Sequence, residues 1–142
     1  MKIIFNKKYP NNVASINYKY AFAKNKNIEF YNYKNYHKYD IALFMTYPQD
    51  LEDLKKAKKI NPKIKSAIVD PRGSIVENYI KYIDFFIIDS IEMHDFFAKY
   101  RKPMYMFFEY PNFDNFKKKH INKKKIIIGY HGNKVHLTAM YP

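Results

Sequence analysis

The chain has 142 residues, 47% of them hydrophobic and 19% aromatic, a composition that excludes an intrinsically disordered protein and suits one domain with a real core. It has no cysteine, which removes disulfide scaffolds and thiolate metal sites, and none of its apolar runs approaches the ~20 residues of a membrane-spanning helix. The formal charge of +13 invites anionic partners, but only Arg72 and Arg101 are arginine among 26 basic residues, and lysine cannot make the bidentate contacts by which nucleic-acid readers recognise bases.

The surplus lysine therefore reads as a solvated basic surface, with weak attraction to an anionic membrane as its functional use and nucleic acid set aside as a partner. The first apolar run, Ile3-Ile4-Phe5, is too short for the core of a signal peptide. A soluble, cytoplasmic protein, peripheral at the inner face of the membrane, is expected.

Lys2 to Asn6 predicts a short buried strand, and Lys7 to Asn12, with its proline and asparagines, a loop. Ala14, Tyr18, Ala21 and Phe22 follow helical spacing over Val13 to Lys24, with Asn11 or Asn12 as N-cap. Ile28 to Tyr33 alternates and is rich in aromatics; Asp40 to Thr46 is almost continuously apolar, as in a strand covered on both faces. Only Lys34 to Tyr39 separates these two strands, fewer residues than a parallel crossover normally needs. Either this connection returns across the sheet in extended form, or one of the two is not a strand.

Further on the alternation is regular. Gln49 to Lys59 begins acidic and ends basic, which complements a helix dipole, and Asn61-Pro62 stops it. Ile64 to Val69 predicts a strand. Ser74 to Tyr82 predicts a helix with Ile75, Tyr79 and Tyr82 inward, Asp84 to Asp89 a buried strand, Ile91 to Tyr100 a helix capped by Ser90, and Pro103 to Phe108 a strand. The expected fold is α/β: a Rossmann-like, mainly parallel sheet with helices on both faces. Glu109 to Lys119 reads as an inter-domain linker.

After that linker, Lys123 to Leu137 (KKKIIIGYHGNKVHL) has the order of a buried strand, a glycine turn and a helix N-terminus, and takes two of the chain's three glycines, Gly129 and Gly132. This arrangement normally opens an α/β domain. Residues 1–116 are therefore expected to form one domain, and 117–142 the linker and first strand-loop of a second, cut off at Pro142.

Ligands of open parallel sheets bind beyond the carboxyl ends of the strands. Asp70-Pro71-Arg72-Gly73 sets a carboxylate, a guanidinium and a glycine at such an end; Arg72 suits a phosphate or carboxylate, and the alternative is a plain turn in which Asp70 caps the next helix. Asn11, Asn12, Ser15 and Asn17 form a polar loop that suits a hydroxyl-rich ligand, or serve as ordinary caps and turns. Asp89-Ser90 favours a helix cap over a catalytic pair, and His94 a structural or exposed role. The five histidines show no HxxxH or HExxH spacing, so no metal site is expected. GxGxxG, GxxxxGK[ST] and GxSxG are all missing, which disfavours dinucleotide, P-loop and nucleophile-elbow chemistry.

The order of these pieces resembles GT-B fold glycosyltransferases. NNVASINYKYAFA is similar to the loop and helix after the first strand on the acceptor side, and YDIALFMTYPQDLEDLKKAKKINPKIKSAIVDP to the strand–helix–strand in the middle of the N-terminal domain. YIDFFIIDSIEMHDFF and PMYMFFEYPNFD resemble that domain's last strands, and IIIGYHGNKVHL the opening of the C-terminal, nucleotide-sugar-binding domain. The resemblance implies a GT-B N-terminal-domain type fold and a cleft between two domains, with no cofactor. It also implies a nucleotide-sugar donor and a glycan or lipid-linked acceptor. Asn11, Asn12, Ser15, Arg72 and Gly73 would line the cleft from the first domain; Gly129, Gly132 and Asn133 would line it from the second. Transfer by this portion alone is not expected. A non-catalytic, flavodoxin-like module for an anionic ligand or partner is the competing reading.

The glycine turn gives a direct test. In the full-length protein, Gly132→Val is expected to abolish donor binding, measured by calorimetry, without lowering the melting temperature; unchanged donor affinity would remove the phosphate-loop role.

Overall fold

A computed structural model describes residues 1–6, 18, 22–23, 26–30 and 35–107. Six strands form one sheet in which every pairing is parallel: β1 (Ile3–Phe5), β2 (Ile28–Phe30), β3 (Ile41–Phe44), β4 (Lys65–Val69), β5 (Phe85–Ile88) and β6 (Met104–Met106), in the order β2-β1-β3-β4-β5-β6. Among the described residues, two α-helices run over a full turn or more, α1 (Asp50–Ile60) and α2 (Ile91–Phe97), accompanied by 3-10 segments at Tyr36–Lys38, Ser74–Asn78 and Ala98–Tyr100. The expected α/β class with a parallel sheet is what these residues form.

The strand order resolves the short connection after β2. Both strands exist and both are parallel, because β2 and β3 are not neighbours: β1 lies between them, with Ile3 in register with both Ile28 and Ile41. The chain crosses β1 on the face that α1 covers, where the 3-10 segment buries Tyr36 and packs it 6.4 Å from Phe44, centroid to centroid. Asn61, at the end of α1, pins the crossing by donating from Nδ2 to the carbonyls of Tyr36 and Tyr39, each at 3.1 Å. One side chain thus ends a helix and stitches a crossover.

Period-2 alternation sends the strands' apolar residues to two separate cores. Ile4, Ala42, Phe44, Ile68, Phe86 and Ile88 face α1 and α2, packing on Leu54, Ala57, Val76, Tyr79 and Phe97. Phe5, Leu43, Met45, Ala67 and Val69 face the other way, onto Tyr18 and Phe22, which are helical and buried. Phe5 meets Phe22 edge-on at 5.4 Å. The remainder of Val13 to Lys24 and all of Lys123 to Leu137 lie outside the described residues.

One expected element differs. The segment after Gly73 is a 3-10 turn over Ser74–Asn78, not an α-helix reaching Tyr82, and its three-residue period puts Val76 and Tyr79 inward while Ile75 faces solvent. Ser90 caps α2 as expected, its Oγ accepting from the Met93 N–H at 3.3 Å. Arg101, in the left-handed region at φ 52°, ends the helical stretch before β6.

At the amino ends of the strands Asp84 ties three elements together. It accepts from Lys58 Nζ at 2.7 Å, Lys65 Nζ at 3.2 Å and the Ser66 N–H at 2.9 Å. Burial pushes its carboxyl pKa up, but the Lys58, Ser66 and Lys65 hydrogen bonds outweigh that and bring it down to about 2. A folded-state pKa below the unfolded value means that the stabilisation is complete above about pH 4 and is lost as pH falls through about 2. Asp84→Asn is therefore expected to cost on the order of 1 kcal/mol at pH 7, after discounting for solvent screening. Thermal melts should show the variant and wild type converging as pH approaches 2.

Candidate functional site

Because all six strands run the same way, their carboxyl ends share one rim. In a parallel sheet of order 2-1-3-4-5 the chain departs in opposite directions from β1 and β3, and a crevice opens between them. Here the residues at that place in the sheet are polar. Asn6, which follows β1, donates from Nδ2 to Asp53 Oδ2 at 3.1 Å, and its N–H donates to the Leu43 carbonyl at 2.8 Å. Asp50 Oδ2 accepts from the Tyr47 N–H at 3.1 Å, and the Tyr79 hydroxyl donates to the Tyr47 carbonyl at 2.9 Å. Burial, with the Asp50 charge adding to it, pushes the Tyr79 phenol up to about 12, so it stays a donor across the physiological range.

Asn6, Asp50 and Asp53 are each no more than 2% exposed. Two carboxylates buried in the first turn of α1 occupy the end of the helix dipole where a phosphate would otherwise be drawn. The sequence reading took these aspartates only as complements of the dipole. Their burial was nonetheless encoded: positions 50, 53, 54 and 57 are one helical stripe, so Asp50 and Asp53 share the inward face with Leu54 and Ala57.

The other end of the rim carries positive charge. Asp70, after β4, is buried with φ 51°, in the left-handed region that aspartate enters more readily than most residues other than glycine. Its N–H donates to the Ile87 carbonyl at 3.0 Å, and its Oδ1 lies 2.7 Å from Nη2 of Arg72. Of the two readings of this turn, capping does not hold: Gly73 occupies the N-cap position of Ser74–Asn78 and no side chain caps it. Gly73 has φ 55° and ψ −163°, a combination open essentially only to glycine. The turn is therefore bent at both ends, and the carboxylate holds the guanidinium.

Arg72 and Gly73, adjacent in the chain, share a hollow of about 300 Å³ with Pro71 and with Glu92, Met93, Phe96 and Phe97 of α2. Asn11, Asn12, Ser15, Gly129, Gly132 and Asn133 lie outside the described residues. His94 is exposed and 3.2 Å from Asp95. Among the described residues no cluster of three or more metal-ligating side chains occurs, and no helix is long and apolar enough to cross a membrane. A larger hollow, about 530 Å³, lies at the amino ends, lined by Ile41, Lys65, Asp84, Phe85, Pro103 and Tyr105. Its two charged groups, Lys65 and Asp84, pair with each other at 3.2 Å, and it stands away from the rim where parallel sheets hold ligands.

No family model matches the chain, and neither does any curated protein or solved structure. The site's chemistry rests on its own residues.

Asp53→Ala would leave the buried Asn6 amide without its acceptor, at a cost of about 1–3 kcal/mol. Urea denaturation should register that loss for Asp53→Ala and a smaller one for Asp53→Asn, which retains an acceptor oxygen.

Proposed function

We propose that this chain is the acceptor-side portion of a GT-B glycosyltransferase, which transfers a sugar from a nucleotide-activated donor to a glycan or lipid-linked acceptor. The observation that carries the reading is the two-part rim: buried Asn6, Asp50 and Asp53 at the β1/β3 crevice, and Arg72 anchored by Asp70 farther along. Hydroxyl-rich ligands are recognised by carboxylates and amides, and anionic groups on them by guanidinium. The strand–glycine–helix order at Gly129, Gly132 and Asn133 supports a donor-side loop in which backbone N–H groups and Lys134 would face the leaving diphosphate. The basic surface supports a peripheral, cytoplasmic position at an anionic membrane.

One observation favours a second reading. The strand order 2-1-3-4-5 is that of flavodoxin-like folds, in which a single domain binds its ligand at the β1/β3 crevice without a partner domain.

Nucleoside diphosphate release from a panel of UDP-, GDP- and ADP-hexoses, with and without glycan and lipid-linked acceptors, separates the two. Acceptor-dependent release by the full-length protein is expected, and Asp53→Asn is expected to reduce it at least tenfold. Tight binding of an anionic ligand with no release from any donor would replace the transferase with the binding module.

A further inference from the structure

Each of the six parallel strands is entered through a lysine. Lys2, Lys26, Lys38, Lys63, Lys81 and Lys102 stand within four residues ahead of β1 to β6 in turn, and Lys58 and Lys59 close α1 on the same side of the sheet. The topology gathers them. In a parallel sheet each helix ends where the next strand begins, so the basic last turn that complements the helix dipole lands on the amino rim. The acidic residues of these described entry segments are Asp40 and Asp84, and Asp84 is answered by Lys58 and Lys65. The opposite rim has the other sign. Among the described residues, the segments that leave β3, β4 and β5 carry Asp50, Glu52, Asp53, Asp70, Asp89 and Glu92 against Arg72.

The amino rim is also laced together by its backbone. The Ile3 N–H donates to the Asn27 carbonyl, the Asp40 N–H to that of Lys2 and the Lys65 N–H to that of Asp40, each at 2.9 Å, and the Asp84 N–H donates to the Ser66 carbonyl at 2.7 Å. The lysines therefore share one platform. Its field depends on net charge and not on unoccupied donors, so Lys102 contributes although its Nζ donates to the Ile83 carbonyl at 2.9 Å. Beside the platform, the hollow of about 530 Å³ adds apolar surface: Ile41, Pro103, and Phe85 with Tyr105 edge-on to it at 5.4 Å. Tyr105 is 60% exposed, an amphipathic ring of the kind that settles where water meets hydrocarbon. A nucleic acid would use the charge without the hollow, and lysines lack the planar fork that reads bases. A fluid anionic surface uses both.

We propose that the amino rim is the face by which this protein docks on an anionic bilayer, its lysines over the headgroups and Tyr105 at the interface. The inference rests on the peripheral position proposed above and adds an orientation to it. The rim that carries Asn6, Asp53 and Asp70 faces away from the lipid, higher by about 15 Å, the length of a five-residue strand such as β4.

Co-sedimentation of the full chain with phosphatidylcholine vesicles, with and without phosphatidylglycerol, tests the docking. Binding at least tenfold tighter to the anionic vesicles is expected, falling as salt rises. Lys38→Glu/Lys63→Glu changes two exposed lysines outside the Asp84 ion pairs and is expected to weaken that binding at least tenfold at unchanged melting temperature. The sequence has no tryptophan, so Tyr105→Trp at the hollow and Pro48→Trp at the carboxyl rim each supply a single reporter. Brominated lipid is expected to quench the first and spare the second; should the double variant fail to fold, the reporters decide. Equal binding to neutral vesicles, indifference to the double variant, or equal quenching of the two reporters each overturns the amino rim while leaving a membrane-bound protein. No binding to anionic vesicles removes the peripheral position as well. Tighter binding of polyuridylate than of anionic vesicles, lost in the same double variant, assigns the rim to nucleic acid and overturns the bilayer.

Discussion

Parallel pairing is the constraint on which everything else depends. A parallel strand cannot be reached by a hairpin, so after each strand the chain must return to the amino end before it can pair again, and each return must cover part of a sheet face. α1, the 3-10 segments and α2 are those returns, and they account for the first core. The second core needs material from elsewhere in the chain, which Tyr18 and Phe22 begin to supply. The same constraint leaves all strand exits on one rim, so the loops with freedom to carry chemistry gather there without any further device.

The two ends of the sheet handle charge differently. At the amino ends, Asp84 is partly exposed and answered by two lysines and a backbone N–H, an arrangement that fastens α1, β4 and β5 to one another. At the carboxyl ends, carboxylates are buried, which is costly unless hydrogen bonds meet them, and Asp70 has a positive φ as well.

The strands and α1 were legible because their signals are local. Continuous apolar runs at IALF, SAIV and FFII, the acid-to-base gradient over Asp50–Ile60, and Ser90 ahead of α2 each act within a few residues. What was not legible depended on partners distant in sequence. Nothing in Lys34 to Tyr39 states that β1 will lie between β2 and β3, since only the sheet decides that a crossing rather than a neighbour is required. Ile75 and Val76 are equally apolar, and which one turns inward depends on a 3-10 period that propensity does not announce. The place of Arg72 and Gly73 after a strand could be read from the chain, whereas the proximity of Phe96 and Glu92 could not, because they come from α2.

The position of β1 bears on how the molecule is made. Ile3–Phe5 is synthesised before β2 and β3, yet it pairs with both of them, and among the described residues β2 pairs only with β1. One side of β1 therefore has no strand to pair with until β3 has emerged. A cluster of β3, β4 and β5 has shorter loops to close and is the natural nucleus, with β1 slotting beside it and β2 docking last. The order of synthesis and the order in the sheet thus differ at this edge, where a strand that precedes β2 and β3 in the chain ends up between them.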